Sequence, residues 1–136
     1  MKKVLLDTNA VTAFFKGDLR VLDCVAKADS VYLSTIVLGE LLAGFRCGAQ
    51  FERNQSLLDA FMACSTVEPL PVTTETSDYY GRLFQVLRKK GTPIPVNDLW
   101  IAAQAMERGA VLISFDRHFD AVPGLRVGSW SAETSG

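Results

Sequence analysis

The sequence predicts an α/β fold, a sandwich of helices around a central, mainly parallel sheet. Two patterns carry that prediction. Short apolar runs alternate along the chain with longer segments of helical periodicity, as in parallel strands joined by crossover helices. The first of these runs is apolar throughout rather than alternating, so it suits a strand covered on both faces. A third observation bears on function. Asp7 directly follows one strand candidate and Asp116 closely follows another, and open parallel sheets bind ligands beyond those carboxyl ends. A chain of 136 residues, 49% hydrophobic, supports one domain with a substantial core.

The elements follow in order. Lys3 to Leu6 reads as a first strand. Thr8 or Asn9 is placed to cap a helix through Val11, Phe14 and Phe15 to Gly17. A second helix spans about Leu19 to Ala28, and Ser30 to Leu33 is a second strand. Ser34 or Thr35 caps an apolar helix that ends near Gly44 to Arg46, with Gly48 as a break. The next helix, Phe51 to Cys64, points Leu57, Leu58, Phe61 and Met62 inward. Val67 to Leu70 is a third strand, closed by Pro69 and Pro71. Thr73 or Thr74 caps a long helix with Tyr80, Leu83, Phe84 and Leu87 at helical spacing, and Arg88-Lys89-Lys90-Gly91 ends it. Asn97 is placed to cap a helix from Asp98 to about Arg108, which Gly109 stops. Ala110 to Ser114 is a fourth strand, Arg117 to Ala121 a turn or short helix, and Leu125 to Val127 a last strand. Residues 1–128 form a single domain, and 129–136 read as a loose tail.

Composition excludes several classes. With a formal net charge of −1 and a pI near 5.8, binding to nucleic acid by bulk attraction is excluded; any such contact needs a local patch or a bound cation. Cys24, Cys47 and Cys64 form no CxxC, and a single histidine, His118, cannot complete an ordinary structural zinc site. The thiols read as reduced and packed, as in the cytosol. The opening Met1 to Leu6 mimics a signal peptide, but Asp7 and Asn9 interrupt it and no small-residue cleavage site follows closely. No apolar run reaches the ~20 residues of a membrane span. A cytoplasmic protein is expected.

Four acids stand where surface solubility does not explain them. Asp7 ends Val4-Leu5-Leu6, and Asp116 follows Val111-Leu112-Ile113-Ser114-Phe115. On a helix, the neighbours of Glu40 three and four positions away are Ile36, Val37, Ala43 and Gly44, an apolar face. Asp98 suits a helix start, yet its helical neighbours Ile101 and Ala102 are apolar. Desolvating a lone carboxylate costs several kcal/mol or shifts its pKa. A shared divalent cation removes that cost. The other acids, including Asp18 and Glu107, read as solvated surface, and His118 as a surface or substrate contact rather than a ligand. Trp100 and Tyr80 read as core or interface.

Oxygen ligands from Asp and Glu select hard cations, Mg2+ or Mn2+. Such a site hydrolyses phosphate esters with water activated by the metal and needs no side-chain nucleophile. Thr8, Asn9 and Ser114 flank the acids and are placed to orient them by hydrogen bonds.

The segments Leu5-Leu6-Asp7-Thr8-Asn9, Ser34-Thr35 with Glu40-Leu41, Asn97-Asp98-Leu99-Trp100-Ile101-Ala102-Ala103, and Leu112-Ile113-Ser114-Phe115-Asp116-Arg117-His118-Phe119 resemble those of the PIN-domain ribonucleases. They are most similar to the VapC toxins of toxin–antitoxin pairs, with Ser114 where that family more often has threonine. The resemblance runs from Leu5 to about Val127. It implies a PIN-like three-layer α/β/α sandwich and a Mg2+- or Mn2+-dependent endoribonuclease. Asp7, Glu40, Asp98 and Asp116 would be its metal-binding acids, and the products would carry 5′-phosphate and 3′-hydroxyl ends. It further implies structured RNA substrates such as tRNA or rRNA, a homodimer, and a small cognate VapB-type antitoxin that obstructs the acidic site. The apolar helices after Ser34 and from Phe51 to Cys64 offer that antitoxin a groove, and an antitoxin arginine would bind the acids strongly. Lys16, Arg46 and Arg117 are candidates for RNA phosphate contacts.

Two alternatives compete. A phosphatase of the haloacid-dehalogenase type also opens with a strand ending in Asp, but it needs a second Asp where this chain has Asn9, and a later lysine that Pro95 to Ala103 does not supply. A non-catalytic PIN-like scaffold for RNA or protein has no need of all four acids.

Overall fold

A computed structural model describes residues 2–128. Its sheet has five strands, all parallel, in the order β3-β2-β1-β4-β5. The strands are β1 (Lys3–Leu6), β2 (Ser30–Ser34), β3 (Val67–Leu70), β4 (Val111–Ile113) and β5 (Val127–Gly128). Six helices connect them: α1 (Thr8–Phe15), α2 (Leu19–Lys27), α3 (Thr35–Cys47), α4 (Phe51–Met62), α5 (Thr74–Lys90) and α6 (Val96–Arg108), with a 3₁₀ turn at Arg117–Ala121. This is the expected three-layer α/β/α sandwich, and the described sheet is parallel throughout.

The central strand is the most apolar. Val4, Leu5 and Leu6 are buried, as are Val31 and Leu33 of β2 and Leu112 and Ile113 of β4, because helices cover both faces. β3 lies at an edge, which is why it tolerates Pro69 within the strand, paired with Leu33. The chain winds outward from β1 through β2 to β3, then returns to the other side of β1 for β4 and β5. That reversal opens a crevice between the carboxyl ends of β1 and β4. Leu6 pairs with Ile113, so Asp7 and Ser114 leave the sheet side by side.

Helix starts depart from the sequence reading at two places. Asp7, not Thr8 or Asn9, is the N-cap of α1: its Oδ1 accepts the Ala10 N–H at 2.8 Å. α6 begins at Val96 after Pro95, so Asn97 lies inside the first turn and does not cap it. Ser34 caps α3 and Thr73 caps α5, each one of the two residues expected. α5 and α6 both end in left-handed glycines, Gly91 at φ 71° and Gly109 at φ 63°.

Side-chain placements also differ from the pattern in the sequence. Leu83 and Leu87 are buried on α5, but Phe84 is exposed. Cys47 and Cys64 are exposed rather than packed, and none of the three cysteines is in a disulfide. Asp18 caps α2 by accepting from Arg20 N, and Glu107 accepts a 2.6 Å bond from the buried Thr76 hydroxyl, so neither is idle surface. The last strand is Val127–Gly128, two residues long, rather than Leu125 to Val127. The tail 129–136 lies outside the described residues. Among the described residues no helix is long and apolar enough to cross a membrane.

Candidate active site

The four predicted acids meet in one cleft. It holds about 270 Å3 and is lined by Asp7, Thr8, Asn9, Glu40, Asp98, Ile101 and Asp116. Each acid arrives on a different element: the β1–α1 junction, the middle of α3, the first turn of α6, and the residue that caps the 3₁₀ turn after β4. A scatter of some 110 residues in sequence becomes one site because the sheet order puts β1 beside β4 and packs α3 against both α1 and α6.

Asp7 is the deepest of the four, 6% exposed. Burial pushes its carboxyl above the ordinary aspartate value, and the Asp98 and Asp116 charges push the same way. Hydrogen bonds from the Ser114 hydroxyl and the Ala10 N–H pull it back. The Ser114 Oγ donates to Asp7 Oδ2 at 2.5 Å and accepts the Asp116 N–H at 2.9 Å, tying the two acids into one rigid corner. Asp98 is also raised, by burial first and then by Asp116 and Glu40, against the lowering effect of His118. Glu40 is gripped at both oxygens: Thr8 Oγ1 donates to Oε1 at 2.5 Å, and Asn97 Nδ2 to Oε2 at 3.2 Å.

Two of these neighbours depart from the sequence reading. Asn97, read there as a cap, orients Glu40 instead. His118, read as surface, keeps half of its side chain exposed, yet its Nδ1 lies 3.0 Å from Asp98 Oδ2 and 2.9 Å from Asp116 Oδ1. A turn residue has no periodicity to reveal its direction; only the Asp-x-His spacing after β4 hinted at it. Thr8 donates to Glu40 and Ser114 to Asp7, and Asn9 lines the cleft from the exposed side of α1. Lys16, Arg46 and Arg117 are all exposed. Arg117 adjoins Asp116, whereas Lys16 lines a separate cavity between α1, α3 and α4, and Arg46 packs its guanidinium 4.8 Å from the Phe51 ring centre.

The donor set fits a divalent cation. Among the described residues, no lysine or arginine forms an ion pair with any of the four acids, and two of them are pushed toward protonation by burial and mutual repulsion. A cation shared between their oxygens relieves both costs. Asp98, Asp116 and His118 each offer an atom within 4.8 Å of the others.

Residues 4–125 match the family model for the PIN domain. The chain belongs to the PIN-domain family. This PIN domain is 34% identical to Ribonuclease VapC2 of Rickettsia felis over 131 residues, 93% of this chain and 96% of that protein. It is 30% identical to the tRNA(fMet)-specific endonuclease VapC of Salmonella typhimurium, over 96% of this chain and 99% of that one. Among solved structures, the VapBC2 complex of Rickettsia felis bound to a promoter DNA fragment has a chain that superposes with a TM-score of 0.83 at 34% identity, covering 94% of this chain and 98% of that one. Asp7, Glu40, Asp98, Ser114 and Asp116 of this PIN domain all fall inside the matched segment.

Proposed function

We propose that this PIN domain is a Mg2+- or Mn2+-dependent endoribonuclease, the toxin of a toxin–antitoxin pair, acting in the cytoplasm. The observation that carries the reading is the convergence of Asp7, Glu40, Asp98 and Asp116 at the sheet's reversal point, in a cleft open to a polymer backbone. The close relatives named as VapC ribonucleases support RNA as the polymer. Asp7, Asp98 and Asp116 would hold the cation, with Glu40 completing the set. When bound, the cation supplies Lewis-acid activation of water and offsets charge on the phosphate.

The chain's own residues do the positioning. Ser114 fixes the Asp7 carboxylate relative to Asp116, so both present oxygens to the cleft without reorganising. Thr8 and Asn97 hold both Glu40 oxygens by neutral donors, which fixes the carboxylate where it would orient water approaching a phosphodiester. Attack by water would leave a 5′-phosphate and a 3′-hydroxyl. Arg117, beside Asp116, would meet an adjacent phosphate, and Lys16 and Arg46 more distant ones.

Partners follow from the surface. The cavity between α1, α3 and α4, about 430 Å3 and lined by Phe15, Phe45 and Leu57 with Lys16 and Arg53, suits an amphipathic segment of a VapB-type antitoxin. An arginine of that segment entering the acidic cleft would block the site. A homodimer contact is offered by α5 and α6, where the exposed Phe84 and Val96 adjoin the stacked Tyr80 and Trp100.

The test is incubation of partner-free protein with total cellular RNA in Mg2+, Mn2+ or EDTA, beside an Asp7→Asn variant, with cut ends mapped. Discrete metal-dependent cuts bearing 5′-phosphates, absent from the variant, are expected. Equal cutting by the variant or in EDTA rejects the reading, and binding of RNA with no cutting in any metal favours the scaffold alternative.

A further inference from the structure

We propose that His118 is an inner ligand of the cation, an imidazole nitrogen beside Asp98 and Asp116, and that it tilts the site toward Mn2+ over Mg2+. The proposal rests on the metal-dependent reading above and adds a ligand that oxygen chemistry alone does not provide.

Spacing is the first argument. Ligands about 2.1 Å from an octahedral cation lie roughly 3.0 Å apart when adjacent and about 4.2 Å apart when opposite. His118 Nδ1 is 3.0 Å from Asp98 Oδ2 and 2.9 Å from Asp116 Oδ1, and the three ligand atoms all lie within 4.8 Å of one another. His118 Nδ1 is therefore spaced from each of the two carboxylates as adjacent ligands are in one coordination shell. One Nδ1–H cannot point straight at two carboxylates, so a hydrogen bond accounts for only one of the two contacts well.

Placement is the second. The turn Arg117–Ala121 is pinned by Phe119, which is 1% exposed, and by Asp116 Oδ1, which accepts the His118 N–H at 2.9 Å. Those two anchors fix the backbone that carries the ring to Asp98 and Asp116. The His118 side chain is half exposed, so the ring stands at the solvent side of the acids and does not seal them from water.

Ligand chemistry is the third. Carboxylate and water suit Mg2+ and Mn2+ alike, whereas imidazole suits the transition metals, and Mg2+ takes near-ideal oxygen cages. A nitrogen at this position separates two ions that the four acids do not distinguish.

The sequence contains one histidine, so any coordinated imidazole has a single source. The experiment is titration of Mn2+ into the metal-free full-length protein, followed by pulsed electron paramagnetic resonance for nitrogen coupled to the bound ion. Wild type should show 14N coupling of a coordinated imidazole, and His118→Gln should lose it. Mn2+ affinity should fall by roughly tenfold in that variant, the scale on which changes around a metal act, with a smaller change for Mg2+. Bound Mn2+ that Asp7→Asn abolishes but that shows no nitrogen coupling in wild type overturns the role of His118 and leaves the metal site standing. Absence of Mn2+ binding overturns both. The wild-type spectrum decides by itself, whatever the variant does to folding.

Discussion

Replacing Ser114 by alanine removes the hydroxyl that links two of the acids. The side chain is 1% exposed, donates to Asp7 Oδ2 and accepts from Asp116 N, so no water can stand in for it without rearrangement. A hydrogen bond to a charged, buried group contributes about 1.5–3 kcal/mol, and leaving such a group unpaired costs on the same scale. Ser114→Ala should therefore destabilise the metal-free protein by about 2 kcal/mol at neutral pH. For a chain of this length that lowers the melting temperature by about 7 °C. The cost should depend on pH with a definite sign. Asp7's folded carboxyl lies above its unfolded value of 3.8, so its contribution to stability is fully present below 3.8 and is lost as pH rises through the folded value. Removing Ser114 takes away the largest influence holding that carboxyl down, so the variant loses more, and over a window extending to higher pH. The difference between variant and wild type is thus smallest in acid and greatest at neutral pH. In an Asp7→Asn background the charge is gone and the cost should shrink to about 1 kcal/mol, the value for a neutral bond. Thermal melts across pH, completed as a double-mutant cycle, measure this. An equal cost in both backgrounds, flat with pH, would refute the claim that Ser114 acts by stabilising the Asp7 charge.

The other expectations are briefer. Thr8→Val removes a donor to Glu40 and should lower the cleavage rate by roughly tenfold or more with the melting temperature little changed, while Thr8→Ser restores it; an unchanged rate would show that Glu40 needs no such anchor. Mn2+ at about 100 times its Kd should add about 2.7 kcal/mol to stability, a rise of about 9 °C, and Asp98→Asn should abolish that rise. Gly109→Ala forces a side chain onto a backbone at φ 63° with no steric contact to blame, so a loss of about 1–2 kcal/mol with normal cleavage is expected by melting and assay. Phe84→Arg should yield a monomer by light scattering; an intact dimer would move the contact away from α5.

Much of the fold is legible in the chain because it depends on local order. The apolar run Val4-Leu5-Leu6, the cap at Ser34, the capping pair at Thr73 and the glycines after α5 and α6 each report on their own few residues, and they mark β1, α3, α5 and α6. The four acids are also legible, because a carboxylate set among apolar neighbours conflicts with its surroundings unless something compensates it. Where the sequence misleads, two residues compete for one job. Asp7 takes the cap expected of Thr8 or Asn9, since its oxygen already faces the first turn as β1 ends.

Tertiary structure alone decides what those acids meet. No local rule brings Asn97 to Glu40 across 57 positions, or Ser114 to Asp7 across 107. Both contacts exist because β4 inserts beside β1 and α3 lies against α1 and α6. Phe84 has the spacing of a core residue and still faces out, since periodicity states which residues share a face but not whether another layer covers it. His118 is the clearest case: a turn carries no repeat from which direction can be read, so only the packing of Phe119 and the closeness of β4 to α6 turn that ring toward Asp98. The sequence by itself determined the elements and the acids because those signals are local in range; the site they build was decided by the order of strands in the sheet, which is a property of the whole chain.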